Sequence, residues 1–341
     1  MQTDYNVQTV LITGSAGFIG FHLSKKLLEL GWKVIGLDSL SDYYDVNLKK
    51  SREAILKKYD NYISIRQNIE QPSALKPIFR EYAPKIVVHL AAQAGVRYSI
   101  KNPRAFLESN IIGTFELLEA AREYSPQHML IASTSSAYGA QTQKPYSETL
   151  KADQQMSFYA ATKKSTESFS HSYSHLYSLP ITMLRFFTVY GPWGRPDMAL
   201  FKFTKSIIKK EPIEVFNFGK MKRDFTYIDD LVESIFQLFF NAPNLKKQKL
   251  YKYDSLSSVA PFRVVNIGNA TEVDLNEYIK AIEEVLGQKA KKTFLPMQPG
   301  DVPSTLASTD LLYELTNYAP NTPIKKGIKA FVEWYQNYYK P

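Results

Sequence analysis

Short apolar runs alternate with longer amphipathic stretches through the first half of the chain. The runs are rich in β-branched residues, which predicts buried strands, and the stretches between them have helical spacing. The predicted strands span residues 9–13, 33–37, 62–66, 85–90, 127–132 and 181–187, and the longest helices span 103–124 and 157–178. Strands that alternate with helices favour right-handed crossovers and a parallel sheet, so the pattern predicts an α/β, Rossmann-type doubly wound fold.

The alternation loosens beyond residue 188. Helices are predicted over 197–210, 229–240, 274–286 and 324–339, and strands over 213–216, 263–267 and 291–295. Because 341 residues exceed what one core usually holds, we expect a first domain over 1–188 and a smaller C-terminal α/β lobe over 189–341. Segments 229–240 and 263–286 are expected to pack back on the first domain, and 241–258 to be a surface insertion.

A glycine-punctuated turn joins the first strand to the first helix. Such a turn bends sharply, lets a pyrophosphate approach the backbone, and presents the N–H groups of the helix start to it. Asp38 ends the next strand about 20 residues further on, where a carboxylate binds an adenosine ribose and repels a 2′-phosphate. This spacing predicts NAD rather than NADP as the cofactor. The turn residues expected at the cofactor are Gly14, Gly17, Phe18, Ile19 and Gly20.

Further cofactor contacts are expected where later strands end, because open α/β sheets bind ligands at that edge. Small residues after the fourth strand suit a backbone pressed against a cofactor, and the residues after the third strand are expected beside the adenine ring. The residues assigned to this set are Asn68, Ile69, Leu90, Ala91, Ala92, Gln93 and Asn110.

Tyr159 and Lys163 form the second strong signal. Four residues apart on a predicted helix, they share one face. A phenol with a pKa near ~10 is a poor base at neutral pH unless a cation favours its phenolate, and Lys163, helped by an oxidised nicotinamide, is expected to be that cation. The alternative, an aromatic ring packed on a lysine stem, is what the two-residue pattern alone would favour. The predicted NAD turn and the hydroxyl cluster at Thr134 favour the catalytic interpretation.

Composition narrows the class of protein. Apolar residues make up 44% and charged residues 22% of the chain, as in soluble globular proteins, and no apolar run is long enough to span a bilayer. The first residues lack a secretion signal and cysteine is absent, so we expect a cytoplasmic protein without disulfides or thiolate metal sites. The net charge of +9 is spread along the chain, which argues against a nucleic-acid surface. His171 and His175 lack a third ligand nearby, so no metal site is expected.

Six segments match the motifs of one known family. They are TGSAGFIG at 13–20, HLAAQAGVR at 89–97, YAATK at 159–163, RFFTVYGP at 185–192, RDF at 223–225 and MQPGDV at 297–302. With these motifs the chain resembles the extended short-chain dehydrogenase/reductases, specifically the nucleotide-sugar epimerases, and among them the bacterial UDP-glucuronate 4-epimerases. The resemblance implies reversible C4 epimerisation of UDP-glucuronate to UDP-galacturonate, for surface polysaccharide, through a transient 4-keto sugar and tightly bound NAD.

The resemblance also implies roles for the residues around the reacting carbon. Tyr159 takes the proton from the sugar 4-hydroxyl, Lys163 also holds the nicotinamide ribose, and Thr134 bonds the reacting oxygen. Sugar dehydratases of this family carry Asp-Glu directly after that threonine, and UDP-glucuronate decarboxylases carry Ser-Glu. This chain has Ser135 and Ser136, whose hydroxyls supply no acid/base catalysis near neutral pH, and epimerisation needs none there.

Substrate contacts are likewise implied by the resemblance. A 4-keto uronate loses carbon dioxide if its carboxylate rotates out of the ring plane, so the site has to hold that group with hydrogen bonds. Arg195 is expected to steer the acid or to close over the UDP, Arg223 resembles a pyrophosphate clamp, and Asp301 resembles a ribose anchor. Gln298 replaces an arginine of many galactose epimerases, and Asn68 replaces a common aspartate. The residues assigned to the substrate are Ser135, Ser136, Thr188, Arg195, Arg223, Asp301 and Arg97.

Two alternatives to the uronate epimerase stay open. One is a 4-epimerase of UDP-glucose or UDP-N-acetylglucosamine, and the other, from a different class, is a catalytically inactive NAD-binding regulatory protein. We also expect a homodimer, since the 103–124 and 157–178 helices carry apolar faces suited to a four-helix seam, although burial within one chain explains these faces too. The apolar stripe of the first of these helices contains Phe106, Ile111, Phe115 and Leu118.

Overall fold

The computed structural model describes residues 8–246, 251 and 253–339. Its strands are β1 (Thr9–Thr13), β2 (Lys33–Asp38), β3 (Tyr62–Arg66), β4 (Ile86–His89), β5 (His128–Thr134), β6 (Ile181–Phe186), β7 (Thr188–Tyr190), β8 (Pro212–Phe216), β9 (Lys222–Tyr227), β10 (Phe262–Ile267), β11 (Glu272–Asp274) and β12 (Lys291–Leu295). Its α-helices are α1 (Phe18–Glu29), α2 (Val46–Leu56), α3 (Lys76–Tyr82), α4 (Val96–Lys101), α5 (Pro103–Phe106), α6 (Gly113–Tyr124), α7 (Phe158–Tyr177), α8 (Ala199–Ile208), α9 (Ile228–Leu238), α10 (Leu275–Leu286), α11 (Asp310–Thr316) and α12 (Ile324–Tyr339).

Seven parallel strands form the central sheet in the order β10-β6-β5-β4-β1-β2-β3. β1 pairs in parallel with both β2 and β4, and β10 pairs in parallel with β6. β2 and β3 extend the sheet on one side of β1, and β4, β5, β6 and β10 extend it on the other side. The strand order therefore reverses between β1 and β4. Ligands of open α/β sheets bind outside the carboxyl ends of the strands at such a point. The predicted doubly wound α/β fold is confirmed.

The sheet is buried on both faces. Val10 and Ile12 of β1 pack in one apolar cluster with α1 and α9, whereas Leu11 packs in a second cluster with α3 and α6. All three side chains have no exposed surface. Successive residues of one strand therefore face two helical layers, which explains why the strands read as continuous apolar runs rather than as alternating ones.

Smaller sheets and a third apolar cluster complete the structure. β11, β9 and β7 form a three-stranded sheet, and β12 pairs in parallel with β8. The third cluster joins α8, α10 and α12. Residues 263–286 therefore do not behave as one segment, because β10 extends the central sheet while α10 packs its apolar face against α8 and α12. Segment 229–240 corresponds to α9, which packs against α1.

The region predicted as one helix over 103–124 has a different geometry. α5 and α6 are joined by a π-helical segment, Leu107–Ile112. Phe106 and Leu118 of the predicted stripe are fully buried, but Phe115 is 44% exposed. A π-helical turn holds an extra residue, so it rotates the following helix relative to a uniform helical repeat, and Phe115 of the stripe lies at the surface of the chain.

Several short elements were not predicted. β9 occupies residues that read as a polar turn, because its exposed Lys222 and partly exposed Arg223 interrupt the apolar pattern. Its pairing with β7 and β11 is a tertiary contact that local sequence does not encode.

Part of the predicted insertion over 241–258, at 247–250 and 252, lies outside the described residues. Within its remainder, Asp254 accepts two hydrogen bonds from Arg263 of β10, at 2.8 and 3.0 Å.

Candidate active site at the carboxyl edge of the sheet

The glycine turn is closely packed against neighbouring backbone. Gly14 has a φ of 74°, and a Cβ atom there would lie 2.8 Å from the amide nitrogen of Ala91. A Cβ atom on Gly20 would overlap the Gly14 carbonyl oxygen. The N–H groups of Gly14 and Ser15 donate to the carbonyl of Leu37, at 2.7 and 3.2 Å. Positions 14 and 20 of the turn therefore require glycine, and hydrogen bonds hold the turn against the end of β2.

The start of α1 is open to an anion. Gly17 is its N-cap residue, no side chain caps the helix, and no acidic residue lies in its first turn. The first N–H groups, which include those of Phe18 and Ile19, and the positive end of the helix dipole suit a phosphate group. Asp38 accepts hydrogen bonds from the N–H groups of Ala16, at 3.0 Å, and Leu40, at 2.8 Å. These residues fit NAD, with the pyrophosphate at α1 and the ribose at Asp38.

The expected adenine and nicotinamide residues have different surroundings. Ile69 is buried against Gly113, whereas Asn68 is exposed. Asn110, in the π-helical segment, is fully buried; it accepts from the Gln93 N–H at 2.8 Å and donates to the Gln93 carbonyl at 3.0 Å and to Thr162 at 3.0 Å. Asn110 therefore holds the loop that contains Leu90, Ala91, Ala92 and Gln93. The buried Gln93 Nε2 atom has no hydrogen-bond partner among the described residues, so a donor is available there.

Thr134 and Tyr159 meet at the end of β5. The Thr134 hydroxyl is close enough to the Tyr159 phenol to lower its pKa, and the Tyr159 ring packs edge-on against Phe106 with 5.9 Å between ring centroids. α7 is positioned by Ser157, whose hydroxyl caps the helix by accepting from the Ala160 N–H at 3.1 Å. The structure thus brings the predicted phenol and hydroxyl together.

Lys163 is bonded to the backbone of β5. Its ammonium group is buried and donates to the Ala132 carbonyl at 2.9 Å, and burial lowers its pKa to about 8. Burial raises the pKa of Tyr159, while the hydrogen bond from Thr134 and the charge of Arg195 act in the opposite direction. Desolvation therefore dominates the pKa of Tyr159, and the Lys163 ammonium bonds to the β5 backbone. The expectation that Lys163 and an oxidised nicotinamide together favour the phenolate stays a prediction.

The serine turn follows Thr134 directly. Residues Ser135–Tyr138 form one 3-10 turn, and Thr134 Oγ1 accepts from the Ser136 N–H at 3.2 Å. Ser135 and Ser136 are partly exposed, as is Thr188 at the start of β7. The turn therefore presents hydroxyl groups, and no carboxylate, next to Tyr159.

A buried ion pair lies behind the serine turn and was not singled out as functional from the sequence. Glu167 accepts from the Ser133 hydroxyl at 2.7 Å and from Nε and Nη2 of Arg185, at 2.8 and 2.7 Å. Burial opposes ionisation of Glu167, but the Arg185 guanidinium more than offsets it, so the pKa of Glu167 is lowered to about 2. The Arg185 guanidinium lies 4.5 Å from the ring centre of Tyr138. The signal available from the sequence was the spacing of Lys163 and Glu167, one helical turn apart.

Arg195 is not a free cation. It forms a two-point ion pair with Asp197, at 3.0 and 2.6 Å, and contacts the Ala94 carbonyl at 3.4 Å. Tyr43 donates to the same Asp197 carboxylate at 3.2 Å, and burial raises the pKa of Tyr43 to about 12. Arg195 and its partners thus join three chain segments, with the charge of Arg195 largely balanced by Asp197. Asp197 and Tyr43 were missed from the sequence because their pairing joins distant segments.

The residues expected at the diphosphate and uridine end also gather. Arg97 Nη2 lies 3.3 Å from Asp301 Oδ2, and the Arg97 guanidinium lies over the Phe216 ring at 4.2 Å. Arg223 donates to the carbonyls of Lys222 and Pro303, at 2.8 and 3.2 Å, and its charge acts on Asp301. Two arginines beside one carboxylate leave net positive charge at this end of the site.

The two histidines considered as metal ligands make hydrogen bonds to neighbouring residues of the protein. His171 bonds to Ser257 Oγ at 2.8 Å, and His175 bonds to the Val259 carbonyl at 2.7 Å. Across the part of the chain that the structure describes, no group of three or more His, Cys, Asp or Glu residues is arranged to hold a metal ion. Within those same residues, no helix has the length and apolar character needed to cross a membrane.

Comparisons with known proteins agree with this geometry. Residues 10–252 match the NAD dependent epimerase/dehydratase family. Over 333 residues the chain is 51% identical to Protein CapI of Staphylococcus aureus, covering 97% of this chain and 99% of that protein. It is 48% identical over 332 residues to a probable UDP-glucuronate 4-epimerase of Rhizobium meliloti, covering 97% of each chain. The crystal structure of the Bacillus cereus UDP-glucuronic acid 4-epimerase in complex with UDP-glucuronic acid and NAD superposes with a TM-score of 0.87 at 32% identity, covering 97% of this chain and 100% of that chain. The chain therefore belongs to the NAD dependent epimerase/dehydratase family.

Proposed function

We propose that this enzyme interconverts UDP-glucuronate and UDP-galacturonate by epimerisation at C4, using NAD that stays bound. The observation that carries the proposal is the contact between Tyr159 and Thr134. The two residues that follow Thr134, at the start of the 3-10 turn, are Ser135 and Ser136. This arrangement has a proton acceptor and hydroxyl donors but no second acid or base. The names of the Rhizobium and Bacillus relatives support the same substrate.

Proton transfer is assigned to Tyr159. Its phenol takes the proton of the sugar 4-hydroxyl while Thr134 holds the reacting oxygen, and NAD, when bound, accepts the C4 hydride and returns it to the opposite face. The buried Lys163 carries positive charge at neutral pH, since its lowered pKa of about 8 still lies above 7. We infer that it holds the nicotinamide ribose and favours the phenolate once the positively charged nicotinamide is beside it.

The hydroxyl groups of Ser135, Ser136 and Thr188 are assigned to the substrate carboxylate. Hydrogen bonds from several fixed donors keep a carboxylate in one orientation, which protects a 4-keto uronate from losing carbon dioxide. Arg195 is assigned to closing the crevice, because Asp197 already balances its charge. Arg97 and Arg223 are assigned to the diphosphate, and Asp301 to the uridine ribose.

The test is incubation of the purified protein with UDP-glucuronate, followed by chromatographic separation of the C4 epimers. We expect UDP-galacturonate to form from UDP-glucuronate, and UDP-glucuronate to form when UDP-galacturonate is supplied, with no net consumption of NAD. Turnover of only UDP-glucose or UDP-N-acetylglucosamine would move the assignment to a neutral-sugar 4-epimerase. Absence of turnover with all three, by protein that retains NAD, would favour a regulatory NAD-binding protein.

We also propose a homodimer. Exposed apolar side chains gather on the π-helical segment, α6 and α7, and an apolar surface of this kind is typical of an interface. The exposed residues on these helices are Leu107, Ile112, Phe115, Phe158, Leu176 and Tyr177. Light scattering after gel filtration should give twice the chain mass, and Phe115→Glu should give the monomer mass. A monomeric wild type at micromolar concentration would contradict the proposal.

A further inference from the structure

Arg52 is a fully buried arginine that lies outside the catalytic centre. It belongs to α2 and has no exposed surface. Its guanidinium donates to the Ala16 carbonyl at 3.0 Å, the Tyr44 hydroxyl at 2.8 Å and the Trp193 carbonyl at 2.5 Å. None of these three acceptors is a carboxylate. An arginine side chain stays protonated in proteins, so a positive charge is buried here among neutral dipoles.

The first of these contacts fixes the glycine turn. The Ala16 N–H donates to Asp38 Oδ2 at 3.0 Å, and the Ala16 carbonyl accepts from Arg52 at the same distance. The Gly17 N–H, on the other end of the same peptide, donates to the Gly14 carbonyl at 2.9 Å. Arg52 therefore draws a carbonyl dipole toward α2, which keeps its negative end away from the α1 N-terminus where a pyrophosphate is expected.

The third contact reaches a different part of the chain. Trp193 lies in the loop between β7 and α8, two residues before Arg195. Its indole ring packs against Phe21 of α1, at 5.4 Å between centroids, and against Trp334 of α12, at 5.3 Å. One guanidinium thus joins the cofactor turn to the loop that closes over the substrate crevice.

We propose that Arg52 is a positioning residue for NAD binding, which holds the glycine turn and the Trp193 loop in register. When NAD is bound, its negative pyrophosphate would balance the positive charge of Arg52, which none of its hydrogen-bond acceptors balances. Loss of Arg52 then weakens cofactor retention and, through the Trp193 loop, substrate binding. This inference rests on the NAD site and on the substrate of the proposed function.

The first test measures bound NAD after purification. Arg52→Gln is compared with wild type and with Arg263→Lys, because Arg263 is also buried but pairs with Asp254 beside β10, in another part of the sheet. NAD released by denaturation is counted per chain, and thermal unfolding is recorded in parallel. We expect Arg52→Gln to retain about tenfold less NAD per chain than wild type. Arg263→Lys should keep its NAD even where its unfolding temperature falls.

A second variant separates positioning from folding. Arg52→Lys keeps the charge but has only one donor group, so it cannot bond the Ala16 and Trp193 carbonyls in the same fork geometry. At saturating NAD we expect its KM for UDP-glucuronate to rise by about tenfold while kcat changes by less than about threefold. This pattern is not expected from a variant that merely lowers stability.

The outcomes distinguish this inference from the proposed function. If Arg52→Gln folds and retains as much NAD as wild type, the inference is overturned. If Arg52→Gln does not fold, Arg52→Lys decides: wild-type NAD retention and a wild-type KM overturn the inference, and reduced retention with a raised KM supports it. If wild type itself binds no NAD, the proposed function fails first, and the inference fails with it.

Discussion

Glu167 and Arg185 form a two-point ion pair with almost no exposed surface, with donor–acceptor distances of 2.8 and 2.7 Å. The pair connects α7, which carries Tyr159 and Lys163, to β6. Ser133, directly before Thr134, donates to the same carboxylate. The position of Thr134 therefore depends on a buried ion pair that holds the residue before it.

Breaking this pair should destabilise the protein strongly. Glu167→Gln leaves the Arg185 guanidinium buried without a negative partner, and such a loss costs about 3–5 kcal/mol. Urea unfolding followed by circular dichroism measures the free energy of unfolding. Lys164→Gln is the matched control, since Lys164 contacts the same carboxylate at 2.9 Å from a partly exposed position and should cost less than about 1 kcal/mol. Equal losses in the two variants would contradict the importance of burial.

Glu148 should make stability fall as pH rises. Burial raises its pKa from 4.5 to about 7, so the folded protein keeps this proton after the unfolded chain has lost it. The folded state then binds more protons between pH 4.5 and 7, and the free energy of unfolding decreases across that range, by at most about 3 kcal/mol from this group. Glu148→Gln keeps an oxygen acceptor for the Asn266 N–H, which Glu148 now binds at 2.8 Å, without the ionisable group.

Glu148→Gln should therefore unfold at a higher temperature than wild type at pH 8, and at a temperature similar to that of wild type at pH 5. Thermal unfolding at both pH values in the same ionic strength provides the measurement. A variant that is less stable than wild type at pH 8 would show that the carboxylate is not the destabilising group.

Local sequence predicts the cofactor half of the site better than the substrate half. Gly14, Gly20 and Asp38 are dictated by a strand, a tight turn and a helix that follow one another directly, so their spacing carries the geometry. The pairing of Arg195 with Asp197 and Tyr43 joins the loop after β2 to the loop after β7. No periodicity records such a contact, because it depends on how the two loops meet in the folded chain.

The pKa values of the site residues were also harder to predict than which of these residues lie close together. Tyr159 and Thr134 meet as expected, and burial raises the pKa of the phenol, an effect that the spacing of Tyr159 and Lys163 along the helix does not reveal. Spacing fixes which side chains share a face, whereas desolvation depends on everything packed around them. The π-helical segment Leu107–Ile112 is a similar case, since Asn110 within it bonds Gln93 and Thr162 through tertiary contacts.

Tyr159→Phe tests the role of the phenol. The variant should retain NAD, because the glycine turn and Asp38 are untouched, and should lose epimerase activity by on the order of 10²–10⁴-fold, the usual contribution of a general base. Activity on UDP-glucuronate and NAD released per chain are measured on the same preparation. Tyr173→Phe is the control, as Tyr173 lies on the same helix and bonds Glu119 at 2.6 Å, away from Thr134. Near-normal turnover by Tyr159→Phe would remove the phenol from the mechanism.

Ser136→Ala tests whether the serine turn protects a keto uronate from decarboxylation. Losing one hydrogen bond to a carboxylate costs about 1.5–3 kcal/mol, enough to let that group leave the ring plane more often. We expect a new product, a UDP-4-keto-pentose detected by mass spectrometry, together with slower epimerisation. Ser168→Ala, on the exposed face of α7, should release no such product. If Ser136→Ala epimerises UDP-glucuronate without any loss of carbon dioxide, the hydroxyl of this residue does not restrain the carboxylate, and Ser135 and Thr188 are left to do so.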